Sequence, residues 1–169
     1  MNSVHGFPDH LRKGVWHVTS ADRFASIKEI GKLLPEPNIP NDERWSTGSG
    51  HNFYPYVRHI GGVSLFDFSR FDEATYNDEY PVSQWRNFVP CPARWNKAIW
   101  IQFSVELLSH GYVDPGRLLD RWRTEASFSH KIMPLIEAAY IGPLELRIAT
   151  TVWEYRDDGW REWSSLELP

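Results

Sequence analysis

The chain has almost no cysteine and no long apolar run, and both absences narrow the kind of protein it can be. Its single cysteine, Cys91, excludes an intramolecular disulfide and a multi-thiolate zinc site. No apolar stretch has the length of a membrane span, and no charged leader precedes a hydrophobic segment. We therefore expect a soluble cytoplasmic protein without a membrane partner.

Motifs for metals, phosphate loops and serine hydrolases are also missing. The seven histidines include no pair at the spacing of a helical metal site, and neither H-E-x-x-H nor C-x-x-C occurs. The G-S-G at 48–50 lacks the lysine and the following helix of a phosphate-binding loop, and no G-x-S-x-G is present. The sequence predicts no bound metal.

The composition indicates one acidic domain that is rich in aromatic residues. The 169 residues are enough for a single core, and the formal net charge of −4 gives no overall basic surface for nucleic acid. A local basic groove stays open as an alternative. Nine Trp, seven Tyr and nine Phe exceed what a minimal core needs, so some rings could line a pocket for a planar ligand.

A strand that leads directly into a helix is predicted near the start of the chain. Val15, Trp16 and Val18 favour a pleated strand, and this strand carries His17. Apolar residues then recur at helical spacing from 24 to 34, the polar pair at 19–20 can cap the first turn, and Gly31 suits a left-handed helix end. The imidazole is thus fixed on rigid backbone, as a ligand contact or as a hydrogen-bonded core residue.

Periodicity along the rest of the chain predicts a mixed α+β fold in which strands outnumber helices. Residues 35–50 are rich in turn formers and follow neither period, which predicts a surface loop or lid. Asp157-Asp158-Gly159 predicts a hairpin turn. Further strands are expected at 62–68, 98–105, 131–140, 148–156 and 160–163, and helices at 115–125 and within 71–88. We predict one domain over residues 1–169.

Three segments, taken in order, resemble the ADP-ribosyltransferase superfamily, in particular its DarT-type and poly(ADP-ribose)-polymerase-like members. W-H-V-T-S-A-D-R-F-A-S-I-K-E-I-G-K-L-L at 16–34 looks like the family's strand His-x-Thr and the helix that follows it. G-G-V-S-L-F-D at 61–67 is similar to its glycine-led strand, and I-E-A-A-Y-I-G-P-L at 136–144 to the segment of its catalytic glutamate. The resemblance implies a mixed, mostly antiparallel split β-sheet with a few flanking helices.

The same resemblance implies roles for individual residues. Glu137 would be catalytic together with His17, which would bind the adenosine ribose of NAD. The backbone of Val18, in the same motif as Thr19, would meet the nicotinamide amide. Ser64 stands where polymerase-type members carry a stacking tyrosine, and it would orient the glutamate. A carboxylate among apolar residues is costly to bury without partners, although on an edge strand it could simply face water.

Further cofactor contacts follow from the neighbouring segments. Arg58 ends N-F-Y-P-Y-V-R, which looks like the aromatic approach to a functional arginine in DarT-type proteins, and a guanidinium suits a phosphate or substrate contact. With tyrosine absent from position 64, Tyr56 or Phe66 would stack on nicotinamide. Glu145 is the fallback carboxylate.

The implied activity is transfer of a single ADP-ribose from NAD, with release of nicotinamide. The acceptor stays open among protein, nucleic acid and small molecule. Two alternatives also stay open. One is an RNA 2′-phosphotransferase-like enzyme, which would need two arginines beside the histidine, and the other is a non-catalytic protein that binds NAD or another nucleotide on the same fold.

Overall fold

A seven-stranded antiparallel sheet runs through the structure, a computed structural model that describes residues 6–163. From edge to edge its strands are β5 (Tyr112–Val113), β6 (Glu137–Ile141), β3 (Gly62–Phe66), β1 (Val15–Ser20), β4 (Lys97–Phe103), β8 (Ala149–Arg156) and β9 (Gly159–Glu162). Strands β2 (Lys32–Leu33) and β7 (Leu144–Glu145) form a separate pair. The predicted α+β class is confirmed, and the described residues form one compact domain. The predicted extent includes residues 1–5 and 164–169, which lie outside that part.

Short helices flank the sheet: α1 (Ala21–Ile30), α2 (Tyr56–His59), α3 (Glu73–Glu79) and α4 (Pro115–Thr124). Side chains of Ser20, Asp72 and Asp114 accept backbone N–H groups in the first turns of α1, α3 and α4, which satisfies donors that a helix start leaves free. No helix within 6–163 has the length and apolarity to cross a membrane. The predicted strands at 62–68, 98–105, 148–156 and 160–163 and the helix at 115–125 are present, with ends shifted by one or two residues.

Strand β4 buries both of its faces, because apolar residues occupy alternating positions on each side of it. Ile99, Ile101 and Phe103 face one apolar cluster, and Ala98 and Trp100 face the other. Each large side chain buried in this way contributes roughly 1.5–3 kcal/mol. The double burial fixes β4, and β1 pairs with it along its whole length, so residues on β1 have well-defined positions.

The sheet opens between β1 and β3. Strand β1 pairs with β4 from Val15 to Ser20, but its pairing with β3 is confined to the Trp16–Phe66 pair. Among the described strands, none covers the second edge of β1 beyond Trp16. His17 and the residues after it therefore border a gap in the sheet, where backbone groups of β1 are free to meet a ligand.

The strand predicted at 131–140 is shorter than expected and begins at Glu137. Pro134 has no N–H to give to a β-ladder, and Leu135 adopts a left-handed φ of 59°, so the chain turns before the strand starts. This turn brings Met133 back against Glu137, whose N–H donates to the Met133 carbonyl at 3.0 Å. Glu137 is therefore the first residue of β6 and not an interior residue of a longer strand.

The terminal hairpin uses a different residue pair from the expected Asp-Gly. Asp157 and Asp158 occupy the two turn positions with φ of 50° and 59°, and Gly159 pairs with Arg156 as the first residue of β9. Asp tolerates the left-handed region better than most residues, so a two-residue turn with positive φ at both positions forms one residue earlier.

Gly31 gives a direct test of how α1 ends. Its φ is 76°, its N–H donates to the Ile27 carbonyl at 2.8 Å, and an added Cβ would meet no atom within 4 Å. We expect Gly31→Ala to lower the free energy of unfolding by about 1–2 kcal/mol through backbone strain alone. Gly48→Ala, which has equally open surroundings and no left-handed φ, should cost nothing. Urea unfolding that shows equal effects would contradict this account of the helix end.

Candidate functional site

A cavity of about 950 Å³ lies where β1 and β3 diverge. Its walls come from both strands, from α1, from β2 and from loop residues within 34–47 and 86–95. The volume falls in the range of small-molecule and cofactor sites, roughly 300–1,000 Å³. The predicted loop 35–50 has only a short 3₁₀ turn and forms part of this wall. His17, Ser64 and Glu137 all line the cavity.

Glu137 is a buried carboxylate held by two neutral donors. The residue is 1% exposed, yet it reaches the cavity wall. Ser64 Oγ donates to Oε1 at 2.9 Å, and the Met133 N–H donates to Oε2 at 2.9 Å. Among residues 6–163, no lysine, arginine or histidine forms an ion pair with Glu137.

Burial controls the protonation of this carboxyl group. Desolvation raises the pKa of Glu137 from about 4.5 to about 7, against the two hydrogen bonds, which favour the charged form. A carboxyl group with this pKa is divided between its acid and base forms near neutral pH. Such a group can accept or donate a proton at little cost, which is what general acid–base chemistry requires.

Ser64 also fixes the ring of His17. The His17 Nδ1 lies 2.9 Å from the Ser64 carbonyl oxygen, and because a carbonyl can only accept, Nδ1 carries the hydrogen. Burial lowers the pKa of His17, so the neutral ring is favoured. In that tautomer Nε2 is an acceptor, and it makes no hydrogen bond within the described residues. His17 is therefore prepared to accept a hydrogen bond from a ligand hydroxyl.

Val18 and Thr19 follow His17 along the same wall. Both line the cavity; Val18 is half-buried and Thr19 is 3% exposed. Both lie on the part of β1 whose second edge faces the gap in the sheet. A free strand edge offers one donor and one acceptor to an amide, so the geometry suits the predicted carboxamide contact.

The cavity is basic although the chain is acidic. Six cationic side chains and two carboxylates line it, whereas the chain as a whole has a formal net charge of −4. The cations are Arg23, Lys32, Arg44, Arg58, Arg86 and Arg94. A concave surface with an excess of positive charge concentrates anions, so this is the local basic groove that composition left open.

Arg58, the predicted phosphate or substrate contact, lines the cavity, but its guanidinium already binds other residues. Its Nε and Nη2 donate to the two Glu36 carboxylate oxygens at 2.7 and 2.9 Å, and Nη1 donates to Asn41 at 3.1 Å. Arg44 donates to the same Glu36 carboxylate at 2.8 Å. Glu36 thus neutralises part of the charge that was predicted to face phosphate.

Neither aromatic residue proposed for stacking presents a free ring. Tyr56 is fully buried outside the cavity, and its hydroxyl donates to Glu125 at 2.8 Å. Phe66 reaches the cavity wall, but it is 3% exposed and stacks on Phe68 with ring centroids 5.2 Å apart. The structure therefore does not bring Tyr56 to the cavity: the one-turn helix α2 places its ring in an apolar cluster of the core.

Three half-buried aromatic residues are better placed to contact a planar ligand. Trp45, Phe88 and Trp95 line the cavity, and Trp45 meets Phe88 edge to face at 5.2 Å. Sequence reasoning missed them because loops carry no period. The one signal in the sequence is the Arg-Trp pair, which occurs in two loops at 44–45 and 94–95, but it also occurs at 121–122 in α4, away from the cavity.

The remaining predictions concern Glu145, metals and Cys91. Glu145 pairs with Lys32 at 3.1 Å on β7 and does not line the cavity. Among residues 6–163, no group of three or more His, Cys, Asp or Glu is arranged to hold a metal. Cys91 borders the cavity, and burial raises the pKa of its thiol, which disfavours the nucleophilic thiolate.

Comparisons with protein-family models, with curated proteins and with solved structures found no match. The resemblance to ADP-ribosyltransferases therefore stays a prediction that rests on this chain's own residues.

The raised pKa of Glu137 predicts how stability changes with pH. Because the folded state holds this proton more tightly than the unfolded chain, ionisation costs nothing below pH 4.5 and destabilises the fold progressively up to pH 7. Glu137→Gln removes that cost and should raise the free energy of unfolding above pH 7 by up to about 3 kcal/mol. Urea unfolding at pH 4.5 and pH 8 measures the difference. The control is Glu79→Gln, at an exposed glutamate. The prediction is contradicted if, at pH 8, Glu137→Gln raises the free energy of unfolding no more than Glu79→Gln does.

The Ser64 hydroxyl should be needed to keep Glu137 partly ionised. Ser64→Ala removes a donor that stabilises the carboxylate, so the pKa of Glu137 should rise above its value of about 7. Titration of the labelled side-chain carboxyl carbon by NMR measures this directly. Ser26→Ala, which also borders the cavity, should leave the titration unchanged. An unchanged titration in Ser64→Ala would refute the contact.

Proposed function

We propose that the chain is a mono-ADP-ribosyltransferase that uses NAD as co-substrate and releases nicotinamide. The observation that carries the proposal is that His17 and Glu137 both hydrogen-bond to Ser64 in the wall of one basic cavity. A neutral imidazole and a carboxyl group with a pKa near 7 are thereby held by a single residue.

Each of these groups has a task in the proposed reaction. Transfer breaks the bond between nicotinamide and ribose; the bonding electrons leave with nicotinamide, and positive charge develops on the ribose. The ionised Glu137 stabilises that charge from a desolvated position, and it can then take the proton of the attacking acceptor. His17 Nε2 accepts a hydrogen bond from a ribose hydroxyl and holds the sugar in place.

The remaining walls suit the other parts of the dinucleotide. The free edge of β1 at Val18 offers a paired donor and acceptor to the carboxamide. Trp45, Phe88 and Trp95 offer ring surfaces to a planar group, and the surrounding cations attract phosphates. Phe66 is part of the cavity wall in this arrangement, and its ring stacks on Phe68.

A nicotinamide-release assay tests the proposal. The protein incubated with NAD should release nicotinamide, and water should serve as the acceptor when no other acceptor is present. Glu137→Gln should slow the release by at least about 100-fold, because a neutral amide can neither offset the charge nor accept a proton. Glu29→Gln is the matched control, since Glu29 is the other carboxylate that lines the cavity. Equal release by the wild-type and Glu137→Gln proteins would refute the assignment.

One observation favours a second candidate, an RNA 2′-phosphotransferase-like enzyme. That chemistry would need two arginines beside the histidine, and the cavity contains several, including Arg44 and Arg58. Nicotinamide release that occurs only when 2′-phosphorylated RNA is added would support it. Thermal stabilisation by NAD without any release would instead indicate a non-catalytic binding protein.

A further inference from the structure

Two guanidinium groups converge at the cavity wall without a carboxylate between them. Arg23 Nη2 and Arg94 Nη2 donate to the same acceptor, the Glu43 backbone carbonyl, at 2.6 and 2.7 Å. Their Nη2 atoms are therefore no more than about 5.3 Å apart, a separation at which two like charges repel. The Glu43 carboxylate forms a long ion pair with Arg23, 3.9 Å from Nη2, and its side chain is 61% exposed, so water screens this pair.

This pair differs from the other arginine pair in the same cavity. Arg44 and Arg58 share the Glu36 carboxylate, which accepts from both at 2.7–2.9 Å and neutralises charge there. Arg23 and Arg94 share a neutral carbonyl instead, and the exposed Glu43 carboxylate, 3.9 Å from Arg23, offsets only part of their charge. Both side chains line the cavity, and burial together with the charge of Arg94 lowers the pKa of Arg23.

The donor geometry suits an oxyanion with several oxygens. A guanidinium has five N–H donors, and the Glu43 carbonyl uses only one from Arg23, so further donors on both residues can bind a ligand. Arg94 gives a second, longer contact to the Asp42 carbonyl at 3.5 Å, which fixes its orientation. Trp95 lies under Arg23, with its ring centre 5.8 Å from the guanidinium carbon, and restricts the site on one side.

We propose that Arg23 and Arg94 form the phosphate-binding subsite of the cavity. The Glu43 carbonyl positions both side chains by accepting a hydrogen bond from each. The ligand class is a phosphate or diphosphate group. An anion there relieves the repulsion between the two cations and gains charge-assisted hydrogen bonds from both. The inference rests on the proposed function only for the source of that group, which is either the dinucleotide's own diphosphate or a phosphate on the acceptor.

Calorimetric titration of the full chain with inorganic pyrophosphate tests the subsite. Arg23→Gln and Arg94→Gln should each weaken binding by about tenfold, the loss of one charge-assisted contact. Arg86→Gln removes an equal charge from the same cavity, at a residue already paired with Glu73, and should change the affinity less than twofold. The inference would be overturned if Arg23→Gln and Arg94→Gln lost no more pyrophosphate affinity than Arg86→Gln does. It would also be overturned if Arg58→Gln lost more affinity than either of them.

A second titration, with ADP-ribose, distinguishes the two sources. If the subsite holds the dinucleotide's diphosphate, Arg23→Gln and Arg94→Gln should weaken the binding of ADP-ribose as much as the binding of pyrophosphate. If the subsite holds an acceptor phosphate, the two substitutions should weaken the binding of pyrophosphate alone. Both results support the subsite, and neither needs nicotinamide release, so the transferase assignment can fail while the subsite stands. Because Arg94 is exposed, Arg94→Gln should melt at the wild-type temperature, which separates lost binding from lost folding.

Discussion

The site depends on the two hydrogen bonds that Ser64 makes from the middle of β3. Its carbonyl orients the ring of His17, and its hydroxyl donates to Glu137, each at 2.9 Å. Pairing with β6 holds β3 in register, with Phe66 opposite Glu137, so the serine cannot move without disturbing the sheet. His17, near the start of the chain, and Glu137, near its end, are thus both bound by Ser64, which the sheet holds in place.

Holding a carboxylate in this position works against stability. Glu137 is buried without a cation, and its two neutral donors do not offset the desolvation that raises its pKa. A glutamine would satisfy the same neighbours, since the Ser64 hydroxyl can either donate or accept. Groups of this kind are concentrated at functional sites, where a fold tolerates local cost for chemistry. The paired arginines Arg23 and Arg94, which share a carbonyl rather than a carboxylate, are a second case of the same compromise.

The sequence predicts structure where hydrophobic periodicity or a helix cap determines it. It does not predict the contacts that loops and turns make. The His17 strand, the helix ended by Gly31 and the double-sided burial of β4 follow from local patterns. The contact between Met133 and Glu137 depends on a left-handed residue in a turn, for which no pattern exists. The burial of Tyr56 could not be predicted, because a helix of one turn is too short for its sequence to show which side faces the core.

The most direct measurement of the central claim is a crystal structure of the Glu137→Gln protein with NAD. We expect the dinucleotide in the cavity between β1 and β3, with a ribose hydroxyl within hydrogen-bond distance of His17 Nε2 and the nicotinamide ribose facing residue 137. A dinucleotide bound elsewhere, or one whose riboses contact neither residue, would contradict the account.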